Sequence, residues 1–400
     1  MQRSLILGCL IALGVSQAKP QPVLAQGLRG RVDWMYMTRD EDAATQPFIT
    51  GPDAFNGSGI DFDYESGYRL MLGWGTPQFE IEGQFTMLDE LSDTTFGTLS
   101  EELVFDDSVA NPFIVGGTPG NSFGAVTALM AAAMDDFTAT MDDETLEGEF
   151  LLPGATAGYL YETEYYDLEV NLTTSRCNWY RFGLGYRHIN VEEQSLFGVA
   201  GLFDALDVDD GLTGGVMGND PNDGLSDAAL TDAGFTRISG AANGFDNFAS
   251  AAGPDMLAVF LGSDVKNELN GIQGTFDAAV CDSPYFLVDL FWRVGVFHNQ
   301  STATVSETLI GSVNDSSVYT RILQDDDNDI AFATSGGFRV AVKLTDHVRL
   351  HTGYEVVFID GLALAPDQIF QVTPTGNLFE IDTSGDLVIH GGRAGIEVVW

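Results

Sequence analysis

VIHGGRAGIEVVW, residues 388–400, is the stretch that decides the fold. Its even-numbered positions, from Val388 to Trp400, share one face of an extended strand, because side chains along a strand alternate with a period of two. That face is largely apolar, whereas the odd-numbered face carries Arg393 and Glu397. Such a strand is typical of a membrane barrel, although the strands of a soluble β-sandwich alternate in a similar way.

Nine earlier segments of the chain alternate like the last one. Their lengths suit strands of a membrane barrel, which need about ten residues to cross the bilayer. The ten predicted strands lie near residues 28–38, 63–75, 78–88, 160–173, 179–191, 264–280, 285–298, 334–344, 347–360 and 387–400.

The connections between these segments are short and long in turn. Turn-forming residues make up the short ones, at 75–77, 175–178, 281–284 and 345–346. The long connections cover 39–62, 89–159, 192–263, 299–333 and 361–386. This order predicts a closed antiparallel up-and-down transmembrane β-barrel of about ten strands, with long extracellular loops and both termini in the periplasm. Twelve strands is the alternative, if part of 302–323, such as Ala303 to Ile310, forms another hairpin.

Charged residues occupy the predicted inward positions of these strands. A soluble sandwich could not bury so many ions, since each one removed from water costs several kcal/mol, whereas the lumen of a membrane barrel is polar. The outward positions carry aromatic residues near strand ends, such as Trp34, Trp74 and Phe286, as interfacial girdles require. The predicted lumen charge ladder consists of Arg31, Arg69, Glu80, Glu82, Asp167, Glu169, Arg181, Arg187, Asp289, Arg293, Arg339, Lys343, Arg349, Glu355, Arg393 and Glu397.

The N-terminus has the parts of a secretory signal. An arginine precedes an apolar run and a small-residue site, so we predict a signal peptide over 1–25 and a barrel domain over 26–400, with cleavage after Ala18 as the alternative. No later segment has about 18 consecutive uncharged apolar residues, which leaves strands as the means of crossing a membrane. The formal net charge of -42 argues against nucleic acid as a partner, because both would repel at long range.

Several segments resemble a known family. They include KLTDHVRL at 343–350, GYE at 353–355, IDGLALAPDQ at 359–368 and HGG at 390–392, with weaker matches at 267–274 and 292–299. In these the chain resembles the planctomycete-type outer-membrane β-barrel proteins, whose biochemical role is mostly unassigned. The resemblance implies the barrel fold and location in the cell outer membrane. It implies no substrate and no catalytic residue, and it does not cover the long loops.

Aspartate-rich runs are the candidate metal sites. Asp325, Asp326, Asp327 and Asp329 offer clustered oxygens, and a second run lies within 207–227. Hard cations such as Ca²⁺ prefer oxygen ligands, so a weak calcium site on the acidic loops is one expectation. Neither run matches an EF-hand loop, and a solvated acidic surface is the other reading. We expect no other cofactor.

The histidines and cysteines give weaker signals. The five histidines are scattered, and no Ser-His or Asp-His constellation at a loop rim follows from their spacing, so we expect no enzyme activity. His351 lies on the predicted inner face near Glu355. Cys177 and Cys281 fall in predicted periplasmic turns two strands apart; we favour free thiols, with a disulfide as the alternative.

These patterns together predict a structural or surface-exposed outer-membrane protein. Its expected partners are outer-membrane lipid and the barrel-assembly machinery, which reads a terminal aromatic residue such as Trp400. Acidic loops would face the medium. The alternatives are a narrow porin-like channel for small solutes, lined by the charge ladder, and an adhesin or receptor acting through loops 89–159 and 192–263.

Overall fold

Ten antiparallel strands close into a ring in which each strand is hydrogen-bonded to two neighbours. The computed structural model describes residues 27–40, 47–101, 103–106, 121–123, 147–174, 179–203, 230–231, 234–240, 255–313, 315–372 and 379–400. Its strands are β1 (Gly27–Arg39), β2 (Pro47–Thr50), β3 (Phe55–Asn56), β4 (Glu65–Gly75), β5 (Phe79–Thr98), β6 (Leu103–Asp106), β7 (Asn121–Phe123), β8 (Glu147–Leu151), β9 (Thr156–Thr174), β10 (Tyr180–Phe203), β11 (Thr236–Ser239), β12 (Asp255–Asp282), β13 (Phe286–Val313), β14 (Asp315–Lys343), β15 (Val348–Leu362) and β16 (Gly385–Val399). A short helix, α1 (Ala365–Ile369), lies between β15 and β16.

The ring runs β1, β4, β5, β9, β10, β12, β13, β14, β15, β16 and back to β1. Closure occurs where Val32 pairs with Ile396, and the Trp400 N–H donates to the Leu28 carbonyl at 2.9 Å. The predicted ten-strand barrel is therefore confirmed. The twelve-strand alternative is wrong, because Ala303 to Ile310 continues β13 without a break.

The remaining elements lie outside the ring. β2, β3, β6, β7 and β8 form a separate small sheet, and β11 pairs with β14. No helix in the described part of the chain is long and apolar enough to span a bilayer. Residues 1–26 lie outside the described residues, so the signal peptide stays a prediction.

The barrel wall is much taller on one side than on the other. β1, β4, β15 and β16 have 11 to 15 residues, whereas β12, β13 and β14 have 28, 28 and 29. At about 3.3 Å per residue, the longest strands run roughly 90 Å. The prediction of a long loop over 299–333 is wrong, since β13 and β14 stay paired up to Val313 and Asp315. The predicted loops 89–159 and 192–263 also contain parts of β5, β9, β10 and β12.

The outer face divides the wall into two sections. Near the short turns it is apolar and exposed, with Leu72, Leu184 and Ile272 each at least 64% exposed. This band ends at the paired row Leu168, His188, Asn270, His298 and Ile330. We call the part from the short turns to this row the membrane section. The parts of β5, β9, β10, β12, β13 and β14 beyond it are the extension.

The polarity of the inward side chains differs between these two sections. In the extension, inward side chains form an apolar core that includes Tyr159, Phe197 and Val259, and segments 47–62, 363–370 and 379–381 contribute to it. In the membrane section the inward side chains are charged. A charged interior under an apolar outer band identifies the protein as a transmembrane β-barrel.

Candidate functional site: the charged lumen

The inward side chains of the membrane section form a network of ion pairs that is made of several clusters. The structure places all sixteen residues of the predicted ladder in these clusters. Nine of these are basic and seven acidic; Arg29, Asp33, Asp277 and Asp282, which the ladder omitted, make the two signs equal in number. The lumen lining therefore neutralises itself.

Glu355 on β15 is the centre of the network. Arg69, from β4 across the lumen, donates to both of its carboxylate oxygens, at 2.6 and 3.2 Å. Arg393 Nη1 lies 3.1 Å from the same carboxylate, and Arg293 Nη1 lies 4.0 Å from it. These cations come from three different strands, so the carboxylate ties opposite walls of the barrel together.

Asp33 on β1 forms a second part of this cluster. It hydrogen-bonds Nε2 of His351, and Arg31 Nε lies 3.3 Å from its other oxygen. His351 thus faces the lumen, as predicted, and its hydrogen-bond partner there is Asp33. Both side chains are buried within the lumen, away from the loop rim.

A side cluster lies on β9 and β10. Arg187 donates to both oxygens of Asp167, at 3.0 and 2.9 Å. Glu169 lies 3.2 Å from Arg293 Nε and accepts from the amides of Gln84 and Gln273, at 3.0 and 2.9 Å. Gln84 and Gln273 carry no charge, so the periodic pattern of charged residues in the sequence did not predict that they bind Glu169.

Two further clusters lie at the end of the barrel that carries the short turns. Arg181 contacts Glu80, Glu82 and Asp277 at 2.6 to 3.0 Å. Arg339 bridges Asp289 and Glu397 at 2.7 and 3.0 Å, and Arg349 also contacts Glu397 at 3.0 Å. Lys343 contacts Asp282 at 2.7 Å beside the turn.

Glycines on the inner face let these long side chains approach. A Cβ built on Gly337 would lie 2.1 Å from the Tyr354 carbonyl oxygen and 2.7 Å from the Phe291 ring. A side chain at this position would therefore clash with the neighbouring backbone and with the Phe291 ring, over which the Arg393 guanidinium lies 4.6 Å from the centroid.

An apolar layer lies directly above the charged network. It includes Met35, Leu88, Ile189, Phe297 and Ile389, all at most 4% exposed. These residues come from the strand positions just beyond the last lumen charges. The layer closes the passage from the ion pairs toward the extension with side chains that neither hydrogen-bond nor hydrate.

The segment 361–369 folds into the barrel mouth above this layer. Asn299 Nδ2 donates to the Gly361 carbonyl at 3.0 Å, and Asn267 both donates to the Ala363 carbonyl and accepts from its N–H, at 2.8 and 2.9 Å. Gly361 has φ +87°, a conformation that glycine adopts without strain. We call this segment the inserted segment.

A buried ion pair in the extension fixes the next part of this segment. Arg39 Nη1 lies 2.6 Å from Glu193 Oε1, with both side chains fully buried, and Glu193 also accepts from the Ala365 N–H at 3.0 Å. The Tyr161 hydroxyl donates to the same carboxylate at 2.9 Å, and burial raises the pKa of Tyr161 well above its ordinary value. The sequence gives no signal for Arg39, Glu193, Asn267 and Asn299, because isolated polar residues on a strand resemble outward-facing ones.

The candidate metal residues lie on β14 rather than in a loop. An extended strand turns Asp326 to the face opposite Asp325, Asp327 and Asp329. Among the described residues, no group of three or more His, Cys, Asp or Glu is placed to hold a metal ion. The run 207–227 lies outside the described residues, so calcium binding there stays a prediction.

The other four histidines and Cys281 take no part in the network. His188, His298 and His390 occupy outward positions near the upper edge of the apolar band, and His347 lies at the short turn between β14 and β15. Cys281 is half-buried at an irregularity in β12, while Cys177 lies outside the described residues, so their pairing stays a prediction.

No protein family and no curated protein sequence matches this chain. Among solved structures, the outer membrane protease OmpT of Escherichia coli is similar at 8% identity, over 94% of this chain and 97% of that one, with a TM-score of 0.35. The P. putida toluene transporter TodX is similar at 8% identity, over 95% and 92%, with a TM-score of 0.26. A Pseudomonas aeruginosa FadL homologue is similar at 8% identity, over 93% and 88%, with a TM-score of 0.26. Similarities this distant assign neither substrate nor activity.

Proposed function

We propose that the protein is an outer-membrane β-barrel with a structural, surface-exposed role and no catalytic activity. It anchors a tall extracellular wall and does not conduct solutes. The observation that carries this proposal is the double closure of the lumen, by the ion-pair network and by the apolar layer above it. Location in the outer membrane follows the predicted export signal and the order of short turns and long connections.

The ion pairs supply the lower closure. Arg69 on β4 and Glu355 on β15 lie three strands apart in the ring, and their side chains are 3% and 2% exposed. Removing one partner from a buried pair costs about 3–5 kcal/mol, since the other charge is left uncompensated. Side chains held this firmly block the narrow interior of a ten-stranded barrel, which side chains nearly fill in any case.

The apolar layer and the inserted segment supply the upper closure. Asn267 and Asn299 hold the backbone of the inserted segment through three hydrogen bonds of 2.8 to 3.0 Å. A hydrated solute would have to cross apolar side chains from Met35 to Ile389 before reaching this segment. Ions lose their hydration in such a layer, which makes passage unfavourable.

Planar-bilayer recording tests the proposal. We expect no steady conductance from the wild type, and none from Arg69→Ala/Glu355→Ala, because the apolar layer remains intact in that variant. In the same background, replacing residues 363–382 by a short Gly-Ser linker together with Met35→Ser, Leu88→Ser and Phe297→Ser should open the barrel, because the ion pairs, the apolar layer and the inserted segment are then all disrupted. This third variant confirms that the protein has inserted. Steady conductance steps from the wild type would contradict the proposal and favour the narrow channel.

The adhesin or receptor alternative predicts a different result. Trimming 107–146 and 204–254 removes most of two long connections without touching a strand of the ring. Folding of the trimmed barrel is judged by the mobility shift of unheated protein on a gel. If the trimmed barrel folds but loses a surface-binding activity of the wild type, the result favours the receptor alternative. We expect the trimmed protein and the wild type to show the same surface binding.

A further inference from the structure

The six long strands of the extension form a sheet with two edges. Pairing of β4 with β5 ends at Leu88, and β15 pairs with β14 only from Phe332 to Lys343, so the upper parts of β5 and β14 each lose a neighbouring strand. An unpaired strand edge presents a row of backbone N–H and C=O groups with which another strand can pair. The structure protects these two edges in different ways.

The edge of β5 is covered by the chain itself. The Asp61 N–H donates to the Asp93 carboxylate at 2.7 Å, and the Ser100 N–H donates to the Asp53 carboxylate at 2.7 Å. The Phe55 ring lies against Gly97, where a Cβ would approach it to 3.0 Å. Residues 53–62 therefore lie along this edge and occupy the side on which another strand would add.

The edge of β14 is uncovered over residues 321–331. Among the described residues, β11 pairs with β14 only from Val318 to Thr320, and β15 pairs with it only from Phe332 onward. At about 3.3 Å per residue, the stretch between them is roughly 36 Å long. Its side chains at even-numbered positions are all exposed. We call this stretch the free edge.

The register of β14 shows which backbone groups point to the free edge. The Lys343 N–H donates to the carbonyl of Tyr285, on the β13 side, at 2.8 Å. Successive residues of a strand direct their N–H groups to opposite neighbours, and the pairing of β14 with β13 has no register shift from Asp315 to Val342. Odd-numbered residues of β14 therefore bond to β13. Even-numbered residues from Ile322 to Ile330 direct their N–H groups to the free edge.

Two of these N–H groups already have partners within the strand. The Asn328 N–H donates to Asp327 Oδ1 at 2.7 Å, and the Ile330 N–H donates to Asp329 Oδ1 at 2.7 Å. The Thr383 hydroxyl donates to the other oxygen of Asp329 at 2.9 Å and fixes that carboxylate. Each aspartate thus caps the N–H of the next residue, as short polar side chains do when they compete with a ladder of hydrogen bonds.

We propose that Asp327 and Asp329 protect the free edge from strand addition. An incoming strand would have to displace both carboxylates before its carbonyl oxygens could accept from the Asn328 and Ile330 N–H groups. Charged side chains on an edge strand are a known means of preventing such pairing. This role goes beyond the proposed structural role, which requires a tall wall but no particular treatment of its edges.

Binding of an uncharged peptide to the full-length barrel in detergent micelles tests the proposal. The peptide is NQSTATVS, the sequence of residues 299–306, blocked at both ends and labelled with an uncharged dye; in β13 this sequence pairs with the other side of the same part of β14. We expect weak binding to the wild type, measured by fluorescence anisotropy. Asp327→Ala/Asp329→Ala should bind about tenfold more tightly, because two N–H groups become available to the peptide.

Two control variants separate capping from charge. Asp327→Asn/Asp329→Asn removes both charges and keeps a side-chain oxygen that can cap the next N–H, so it should bind like the wild type. Asp325→Ala/Asp326→Ala removes two charges of the same run whose side chains cap no N–H among the described residues, and it should also bind like the wild type. A tenfold gain in either control would overturn the proposal, because charge alone would then protect the edge.

A proline places the bound peptide on the free edge. Asn328→Pro, added to Asp327→Ala/Asp329→Ala, should cancel most of the gain, since it removes one released N–H and leaves the pairing with β13 intact. A gain that survives the proline would overturn the proposal, because the peptide would then bind elsewhere. Unchanged binding by Asp327→Ala/Asp329→Ala would overturn it as well.

The mobility shift of unheated protein on a gel shows that each variant has folded. If loss of the Thr383 contact unfolds the double variant, Asp327→Ala takes its place, because Asp327 has no bond to Thr383. This single variant releases one N–H and should bind about threefold more tightly than the wild type. No gain in the folded single variant would contradict the capping role.

Discussion

The membrane section and the extension are continuous parts of the same strands, yet they bury opposite kinds of side chain. On β9, Asp167 and Glu169 point inward and Leu168 outward in the membrane section. Further along the same strand, Tyr159 and Tyr161 point inward, while Glu162 points outward. The backbone and its pairing do not change between the two.

The difference shows that the surrounding solvent, and not the strand, decides which side chains face inward. Lipid accepts apolar groups on the outer wall, so the charged groups of the membrane section turn to the lumen and pair there. Water surrounds the extension, so its apolar groups turn inward as in a soluble protein. The apolar layer containing Met35 and Phe297 lies where one arrangement gives way to the other.

Placing a charge inside the extension should have the largest effect. Phe197 is fully buried and stacks on Phe48 with ring centroids 4.5 Å apart. Phe197→Asp should cost more than about 5 kcal/mol and unfold the extension, since the buried cations there, Arg39 and Arg321, are already paired with Glu193 and Glu307. Limited proteolysis of vesicle-embedded protein should cut the extension and leave the membrane section intact.

Gln194→Asp is the matched control for that variant. Gln194 lies on the same strand with its side chain on the outer face, and it is exposed. This substitution should leave the protease pattern unchanged. A protease-resistant extension in Phe197→Asp would show that the two interiors do not differ as described.

Removing a charge from the lumen should have the next largest effect. Glu355→Gln leaves Arg69 and Arg393 without their shared carboxylate. We expect a loss of about 3–5 kcal/mol of folding free energy, because the stranded cations stay buried. Urea titration of folding in vesicles, followed by tryptophan fluorescence, measures the loss. Glu164→Gln on the outer face is the control, and a loss under about 1 kcal/mol for Glu355→Gln would indicate a well-hydrated lumen.

The smallest expected effect is a pH dependence on the outer face of the extension. Burial raises the pKa of Glu162, and the neighbouring Glu90 and Glu164 raise it further. A carboxyl whose pKa is raised by folding favours the native state while protonated, and that contribution disappears as pH rises through the raised value. Glu162→Gln should therefore stabilise the protein at neutral pH by less than about 0.5 kcal/mol, because the site is largely exposed.

Asp329 should show the opposite pH dependence, because its pKa is lowered where that of Glu162 is raised. The Ile330 N–H and the Thr383 hydroxyl donate to its carboxylate and lower its pKa. Its contribution is present above the unfolded value and disappears as pH falls through the lowered one, so Asp329→Asn should destabilise the protein at neutral pH. Melting temperatures of both variants between about pH 3 and 8 measure the difference. Equal responses at both sites would contradict the assigned signs.

The strand pattern and the lumen charges could be read from the sequence because both depend on the period of two. Arg187 and Glu169, for example, occupy inward positions that alternation alone identifies, and the structure pairs them with Asp167 and Arg293. Their partners could not be predicted. Arg69 and Glu355 are 286 residues apart, and only closure of the ring brings them together.

The alternation of lipid-facing and lumen-facing residues could not predict the extension. Residues 299–333 contain the run Asp325 to Asp329, which resembles a loop, and their polar and apolar positions suit a soluble strand. The run of outward apolar residues on β13 therefore ends at His298, in the row where the membrane band ends. Arg39 and Glu193 were missed for a related reason, since buried polar residues of the extension resemble surface ones.

The sequence by itself determined the alternation, the ten strands and the set of charges that must avoid lipid. Those features are local, because a side chain's face depends only on its position along an extended backbone. The tertiary structure decided how high the wall rises, which charges pair and where the inserted segment closes the lumen. Those features depend on contacts between residues far apart in the chain, which form only when the ring of strands has closed.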